Sequence, residues 1–253
     1  MNKIINSWYI RAAGLLFFLI SSSGSHAQDS VLNKYGLRVI STALAYRETT
    51  RKDAGKEMAD LKKIVPGLVF DLKYSTDDNF MKTKLYPELA TTYLRKSAAM
   101  ALAAVQRDLN RQGLRLKIFD AYRPYAVTEK MWEPVKDDRY AADPKVGSGH
   151  NRGIAVDLTV IDLYTKEPLN MGTEFDNFTD TAHHDFTALP KEVLQNRLLL
   201  RNVMEKNGFK AMETEWWHYF LSDGREYELL DISFEELEKL SQQGLKRRPK
   251  TGP

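Results

Sequence analysis

The sequence predicts a single α+β domain. Three observations carry that expectation. Strand-like alternation recurs around residues 114–120 and 153–163, amphipathic helical stretches lie before and after these strands, and the regular strand-helix alternation of a parallel sheet is missing.

The elements follow in order. Residues 1–27, MNKIINSWYIRAAGLLFFLISSSGSHA, carry Lys3 and Arg11, an apolar run from Ala12 to Ile20, and small residues at Ser25 and Ala27. This is the pattern of a secretory signal cleaved before Gln28. The run falls short of the about 20 residues that span a bilayer, and no cysteine follows it to carry a lipid. The expectation is an exported, periplasmic protein without stable membrane association. Residues 28–60 are polar and mixed and read as an extension packed on a domain that spans 61–236. Residues 237–253 read as a polar tail, of which 241–253, SQQGLKRRPKTGP, looks disordered.

Within the domain, Leu68, Phe70 and Leu72 alternate as a strand does. From 92 to 112, Leu94, Ala98, Ala101, Leu102, Val105 and Leu109 recur at helical spacing until Gly113 stops them. Leu114, Leu116 and Ile118 face one side of the next strand. It ends at Arg123 and Pro124, and because a residue before proline favours extended backbone, Arg123 is expected at a strand end or turn. A glycine loop holding His150 leads into a second strand, GIAVDLTVIDL (153–163). A polar loop covers 164–189. A helix covers 190–207, with Val193, Leu200, Val203 and Met204 on one face and Pro190 suited to its first turn. FKAMETEWWHYFL (209–221) reads as the last strand.

Composition narrows the function. The formal charge is +3, and it falls to +1 once Lys3 and Arg11 leave with the signal. Nucleic-acid binders usually present a strongly basic face, so that partner is not expected. The chain has no cysteine. Any metal site must therefore draw on His, Asp or Glu.

Of the five histidines, His26 belongs to the signal, leaving His150, His183, His184 and His218. Asp157 follows His150 by seven positions, and Glu215 precedes His218 by three. Two histidines and one carboxylate with an open fourth position suit a catalytic zinc ion, and His150, Asp157 and His218 supply them if the two strands lie side by side. Other divalent ions accept the same donors. Glu215 is then spare, and a spare carboxylate beside an activated water is what a hydrolase uses as its general base. In a regular strand Glu215 and His218 would point to opposite faces. Glu215 must therefore sit on a bulge or turn at the strand's entry. Arg123 is a candidate for stabilising a tetrahedral oxyanion; alone, an Arg before Pro would be read as a surface ion pair.

Ser148-x-His150-x-x-Gly153-x-Ala155-x-Asp157 followed by Glu215-x-x-His218 resembles the pattern of the zinc D-Ala-D-Ala peptidases, which share a fold with the Hedgehog signalling domain. More closely, DLKYSTDDNF, FDAYRP, SGHNRGIAVDLTV, MGTEFDNF, HH and EWWHY, in that order, resemble the VanX-type D-alanyl-D-alanine dipeptidases from about Leu61 to Phe234. The resemblance implies a central, mainly antiparallel sheet flanked by helices and one zinc ion per chain. It implies His150, Asp157 and His218 as ligands, Glu215 as base and Arg123 as transition-state stabiliser. It also places Ser148 and Tyr74 at the substrate, with Asp176 holding the dipeptide's free ammonium group. His183 and His184 match a histidine pair assigned to loop structure rather than to the metal. The implied reaction is hydrolysis of D-alanyl-D-alanine, in wall-peptide turnover or recovery for an exported enzyme. A D,D-carboxypeptidase acting on peptidoglycan peptides is the near alternative, and a non-catalytic wall-peptide-binding module the distant one.

Overall fold

The computed structural model describes residues 32–222 and 227–247. The expected signal, residues 1–27, and the last six residues of the expected tail lie outside the described residues.

The described chain opens with β1 (Val39–Ile40) and α1 (Ala43–Lys52), the latter starting at Thr42, whose hydroxyl accepts the Ala45 amide. Next come β2 (Met58–Asp60), α2 (Leu61–Ile64) and β3 (Val69–Phe70). β4 (Tyr93–Arg95) runs directly into α3 (Lys96–Asn110), followed by β5 (Leu114–Asp120) and α4 (Tyr125–Val135). A single helical turn, α5 (Gly149–Arg152), precedes β6 (Ala155–Asp162). The rest is α6 (Lys191–Lys206), β7 (Phe209–Met212), β8 (Glu215–Leu221), β9 (Leu229–Leu230) and α7 (Phe234–Arg247).

The architecture is α+β, with a five-stranded sheet in the order β3-β5-β6-β8-β7. Within that sheet only the β3-β5 pair is parallel. Leu116 and Ile118 of β5 stand opposite Val160 and Leu158 of β6 on one face. Against them pack Leu102, Val105 and Leu109 of α3 and Leu200 and Met204 of α6, all fully buried. Burying each such side chain contributes about 1.5–3 kcal/mol. That face is sealed by helices. The opposite face carries Asp157 and is left for chemistry.

A second, tyrosine-rich core joins the N-terminal segment, α4 and α7, with Tyr46, Tyr86, Tyr93, Tyr122 and Phe234 buried in it. The Tyr122 hydroxyl donates to Ile232 O (2.8 Å) and accepts from Ile232 N (2.9 Å), so the buried phenol has no unmet bond.

Several expectations need correcting. The helix read from 92 to 112 begins only at Lys96. Tyr93–Arg95 forms a strand against β2, because Arg95 is fully buried and spends its guanidinium on the carbonyls of Lys56, Arg152 and Glu228. The strand over Leu68–Leu72 shrinks to Val69–Phe70. Residues 209–221 are a hairpin rather than one strand, folded back at Glu213–Thr214. α4 was not anticipated: Pro124 ends the extended run but also starts a helix, a role its fixed φ suits. His150 sits on a helical turn rather than in a loop. The sequence reads 241–253 as disordered, yet α7 continues to Arg247, with Leu237 of the same helix buried on the tyrosine-rich core.

Gly153 ends α5 at φ +70°, and a Cβ there would lie 2.8 Å from Met58 Sδ and 3.3 Å from Arg95 N. Gly153→Ala is expected to destabilise the protein by about 1–3 kcal/mol, read as a fall of several degrees in Tm. An unchanged Tm would mean the turn is not under this constraint.

Candidate active site

His150 is aimed by the turn that carries it. The Ser148 hydroxyl accepts the His150 amide (3.1 Å), and Asn151 Oδ1 accepts the Ser148 amide (2.9 Å), a reciprocal cap. Asn151 Nδ2 then donates to Arg123 O (2.9 Å) and to Thr128 Oγ1 (2.8 Å). The His150 ring is fixed by Ala121 O, 2.6 Å from Nδ1. A carbonyl can only accept, so Nδ1 carries a proton, and Nε2 is the atom turned toward Asp157 and His218.

Asp157 and His218 are partners across β6 and β8. His218 Nδ1 lies 2.9 Å from Asp157 Oδ1, and His150 Nε2 lies 3.3 Å from both Asp157 Oδ2 and His218 Nδ1. One ligand atom from each residue lies within 4.8 Å of the other two. The donor set itself tests whether a metal fits. Two imidazole nitrogens and a carboxylate oxygen crowd around one point, where a bound cation would let both nitrogens turn lone pairs inward. Two imidazoles and a carboxylate are also a zinc-type set. The residues fit a divalent ion, and they form a possible metal site.

Glu215 occupies the first position of β8, where the pairing with β7 slips between Ala211 and Met212. That irregularity lets Glu215 and His218, three apart, line one cavity; Glu215 Oε2 is 3.8 Å from His218 Nδ1. Burial pushes the Glu215 carboxyl up to about 7, opposed by the His218 ring. Burial would also raise Asp157, but the two rings outweigh it and hold that carboxyl well below the usual range.

Arg123 is buried rather than on the surface. Its Nε and Nη2 donate to Asp120 Oδ2 (3.1 and 2.9 Å), and its guanidinium sits 5.1 Å from the centre of the Tyr74 ring. Asp120, itself buried, also accepts from the Tyr86 hydroxyl (3.1 Å). Tyr74 donates to Asp176, whose two oxygens are each 3.1 Å from its hydroxyl. Asp176 adopts φ +58°, and burial, then the charge of Asp157, raises its pKa well above the usual value. A non-glycine residue in this region stores strain, which concentrates at functional sites.

These groups share one cavity of about 250 Å³, lined by Tyr74, Arg123, Ser148, His150, Asp157, Asp176, Glu215 and His218. It lies at the small end of ligand pockets, which run from about 300 Å³ for drug-sized molecules. His183 and His184 do not line it: His183 O accepts Arg197 Nη1 (3.1 Å), and the His184 amide donates to Glu213 O (2.8 Å). Sequence reasoning missed Asp120, Tyr86 and Asn151. The D-x-x-R spacing of Asp120 and Arg123 and the S-x-x-N cap were readable signals; Tyr86 had none.

The family model described as D-ala-D-ala dipeptidase, peptidase M15, matches residues 54–237. The chain belongs to the D-Ala-D-Ala dipeptidase family. It is 38% identical to the D-alanyl-D-alanine dipeptidase of Escherichia coli strain K12 over 70% of this chain and 91% of the relative. It is 31% identical to that of Enterococcus faecalis (64% and 90%) and 32% identical to that of Streptomyces coelicolor (66% and 92%). The matched family region contains every residue of the cavity wall named above.

In this family member, the raised Glu215 carboxyl has a consequence for stability. With its folded pKa near 7 and an unfolded value of 4.5, the folded state binds the extra proton between those limits. Stability of the metal-free protein therefore falls as pH rises from 4.5 through 7. Glu215→Gln removes this dependence, and its advantage over the wild type is expected to approach ~3 kcal/mol at pH 8, one pKa unit being about 1.4 kcal/mol. Urea titrations in chelator at pH 5 and pH 8 measure it; an equal effect at both would contradict the assignment.

Proposed function

We propose that this protein is a metal-dependent dipeptidase that hydrolyses D-alanyl-D-alanine to two molecules of D-alanine, with zinc as its ion. The observation that carries this reading is the convergence of a two-histidine, one-carboxylate cluster, a spare carboxylate and a buried arginine on one small cavity. The names of the relatives agree with it.

His150, Asp157 and His218 would hold the ion, which when bound supplies an acidified water and positive charge beside the scissile carbonyl. Glu215 takes a proton from the attacking water as the new C–O bond forms. It returns that proton to the leaving nitrogen as the C–N bond breaks. A buried carboxyl whose proton affinity desolvation raises, as here in the metal-free protein, suits both halves of that exchange. Arg123 faces the negative charge that grows on the carbonyl oxygen. Asp120 holds the guanidinium in place beforehand, so little reorganisation is needed. Asp176, half-buried and with its ionised form disfavoured, gains from a cation; the dipeptide's ammonium group supplies one, with Tyr74 orienting the carboxylate.

The cavity's outline favours a dipeptide over a longer peptide. On the Asp176 side, Tyr140 and Phe178 stack at 4.8 Å, Phe178 meets Phe80 at 5.3 Å, and Phe80 meets Tyr74 at 6.2 Å. This row of rings bounds the space into which an amino-terminal extension would pass. The 27 N-terminal residues support action outside the cytoplasm, on D-alanyl-D-alanine released in wall-peptide turnover or recovery. Activity that fractionates with a cytoplasmic marker would sink that part of the proposal.

Purified protein is expected to release D-alanine from D-alanyl-D-alanine, to lose activity in chelator and to regain it with zinc. Glu215→Gln should lower kcat about 10²–10⁴-fold while metal analysis shows the ion retained; undiminished turnover would remove Glu215 from the mechanism. Phe178→Ala should raise the kcat/KM of an N-extended D-Ala-D-Ala tripeptide relative to the dipeptide by about tenfold, or ~1.4 kcal/mol. A wild type that already prefers the tripeptide would replace this reading with a carboxypeptidase.

A further inference from the structure

The region matched by the family model starts at residue 54, yet the segment before it reaches the cavity's rim. That rim is the loop 136–148, which contributes Asp138 to Ala142 and Gly147 to the cavity wall and delivers Ser148 to the start of α5. We propose that residues 32–40 form a brace that fixes this loop, with Asn33 and Tyr125 as its positioning residues.

The chemistry of Asn33 leaves it one arrangement. Its Oδ1 accepts the amides of Tyr35 and Leu37, each at 2.9 Å, within a turn that Gly36 closes at φ +76°. The amide nitrogen must then point outward, where Nδ2 donates to the Tyr125 hydroxyl at 3.0 Å. Tyr125 is buried, and its hydroxyl lies 2.6 Å from Pro144 O, in the middle of the rim loop. A hydroxyl has one proton, and a carbonyl can only accept it, so Tyr125 donates to Pro144 and accepts from Asn33. The chain Asn33 to Tyr125 to Pro144 is thus directional, and each bond polarises the next. Lys34 adds an ion pair with Glu129 of α4 at 3.0 Å, exposed and worth little by itself.

The same segment also supports the loop's other end. β1 pairs with β9, Val39 opposite Leu229. The Leu229 side chain packs so closely on Gly147 that a Cβ there would lie 2.4 Å from its Cδ2, and Gly147 itself stands at φ +75°. Pro144 and Gly147 are therefore both held by contacts that rest on residues 32–40. Between them and Asp137 lies the stretch that walls the cavity. The brace touches neither the metal triad nor Glu215, so it acts on how firmly the cavity holds a substrate rather than on bond breaking.

The activity readout rests on the dipeptidase reading, so the test carries a second readout that does not. In the full-length, metal-loaded protein, Asn33→Ala and Tyr125→Phe should each raise KM for D-alanyl-D-alanine about threefold to tenfold, the range a single hydrogen bond commands. kcat should stay within about twofold. Deuterium uptake across residues 138–147 should quicken in each variant, and the double variant should be no worse than the worse single one. A lowered Tm with KM and uptake unchanged would reduce the pair to ordinary packing and overturn the brace. An unchanged KM would overturn it too, whatever the exchange shows. If the wild type releases no D-alanine, the dipeptidase reading falls, and the exchange result alone upholds or overturns the brace.

Discussion

The site depends on a pairing across two strands: Asp157 of β6 opposite His218 of β8, beside a third strand whose end is bulged. The register of β5 against β6 shifts between Ile118 and Asp120, so that Asp120, rather than Phe119, stands opposite Asp157. Three consequences follow within four residues. Asp120 is turned inward to hold Arg123, the carbonyl of Ala121 meets the His150 ring, and the Arg123 amide donates to His150 O at 3.2 Å. One displaced residue thereby fixes the His150 ring and the Arg123 guanidinium at the same strand end. A regular strand would have offered Phe119 instead.

That geometry concentrates carboxylates where water is scarce, and their environments drive them apart. Asp157 lies between two imidazoles and is held well below the usual range; Glu215 and Asp176, facing more desolvation than compensation, are pushed upward. Carboxyl groups of one type thereby acquire different proton affinities from position alone, which suits the ligand, proton-carrier and cation-receptor roles proposed for them. Burial that benefits catalysis works against folding, since the charged forms of Glu215 and Asp176 are disfavoured in the metal-free protein. The sealed face of the sheet, with Leu116, Leu158, Val160 and the helices over them, supplies stability that the open face does not.

Much of this was legible. Apolar alternation located β5 and β6, helical spacing located most of α3 and α6, and the donor types around His150 and His218 singled out a metal triad that the structure brings together. Periodicity also forced a correct condition: Glu215 could join His218 only at an irregular strand entry, and the β7-β8 slip provides it. What stayed hidden depends on contacts distant in sequence. Arg95 looked like the first turn of a helix because nothing local reveals the three carbonyls that capture it. Arg123, singled out only by the residues around it, gave no local sign of its burial, its contact with the Tyr74 ring or its bonds to Asp120. The stretch from 241 looked disordered because its polar composition hides that it prolongs α7, a helix that Leu237 ties to the tyrosine-rich core.

Asn151 shows how few groups coordinate the parts. It is fully buried, and its one amide spans three elements: Oδ1 on the Ser148 amide ahead of α5, and Nδ2 on Arg123 O and on Thr128 Oγ1 of α4. Each of those bonds fixes a distance that matters, because Ser148 sets the turn that presents His150 while Arg123 O sits at the base of the guanidinium. An aspartate there would lose both donors, and an aliphatic side chain would leave a buried amide and carbonyl unmet at a cost of about 1–3 kcal/mol for each. The separation between His150 and Arg123 is therefore set by a hydrogen-bonded amide that lies outside the cavity wall. The rim loop enters the same arrangement through Ser148, so a contact made at Pro144 or Gly147 meets the reacting groups through a rigid cap rather than a free hinge.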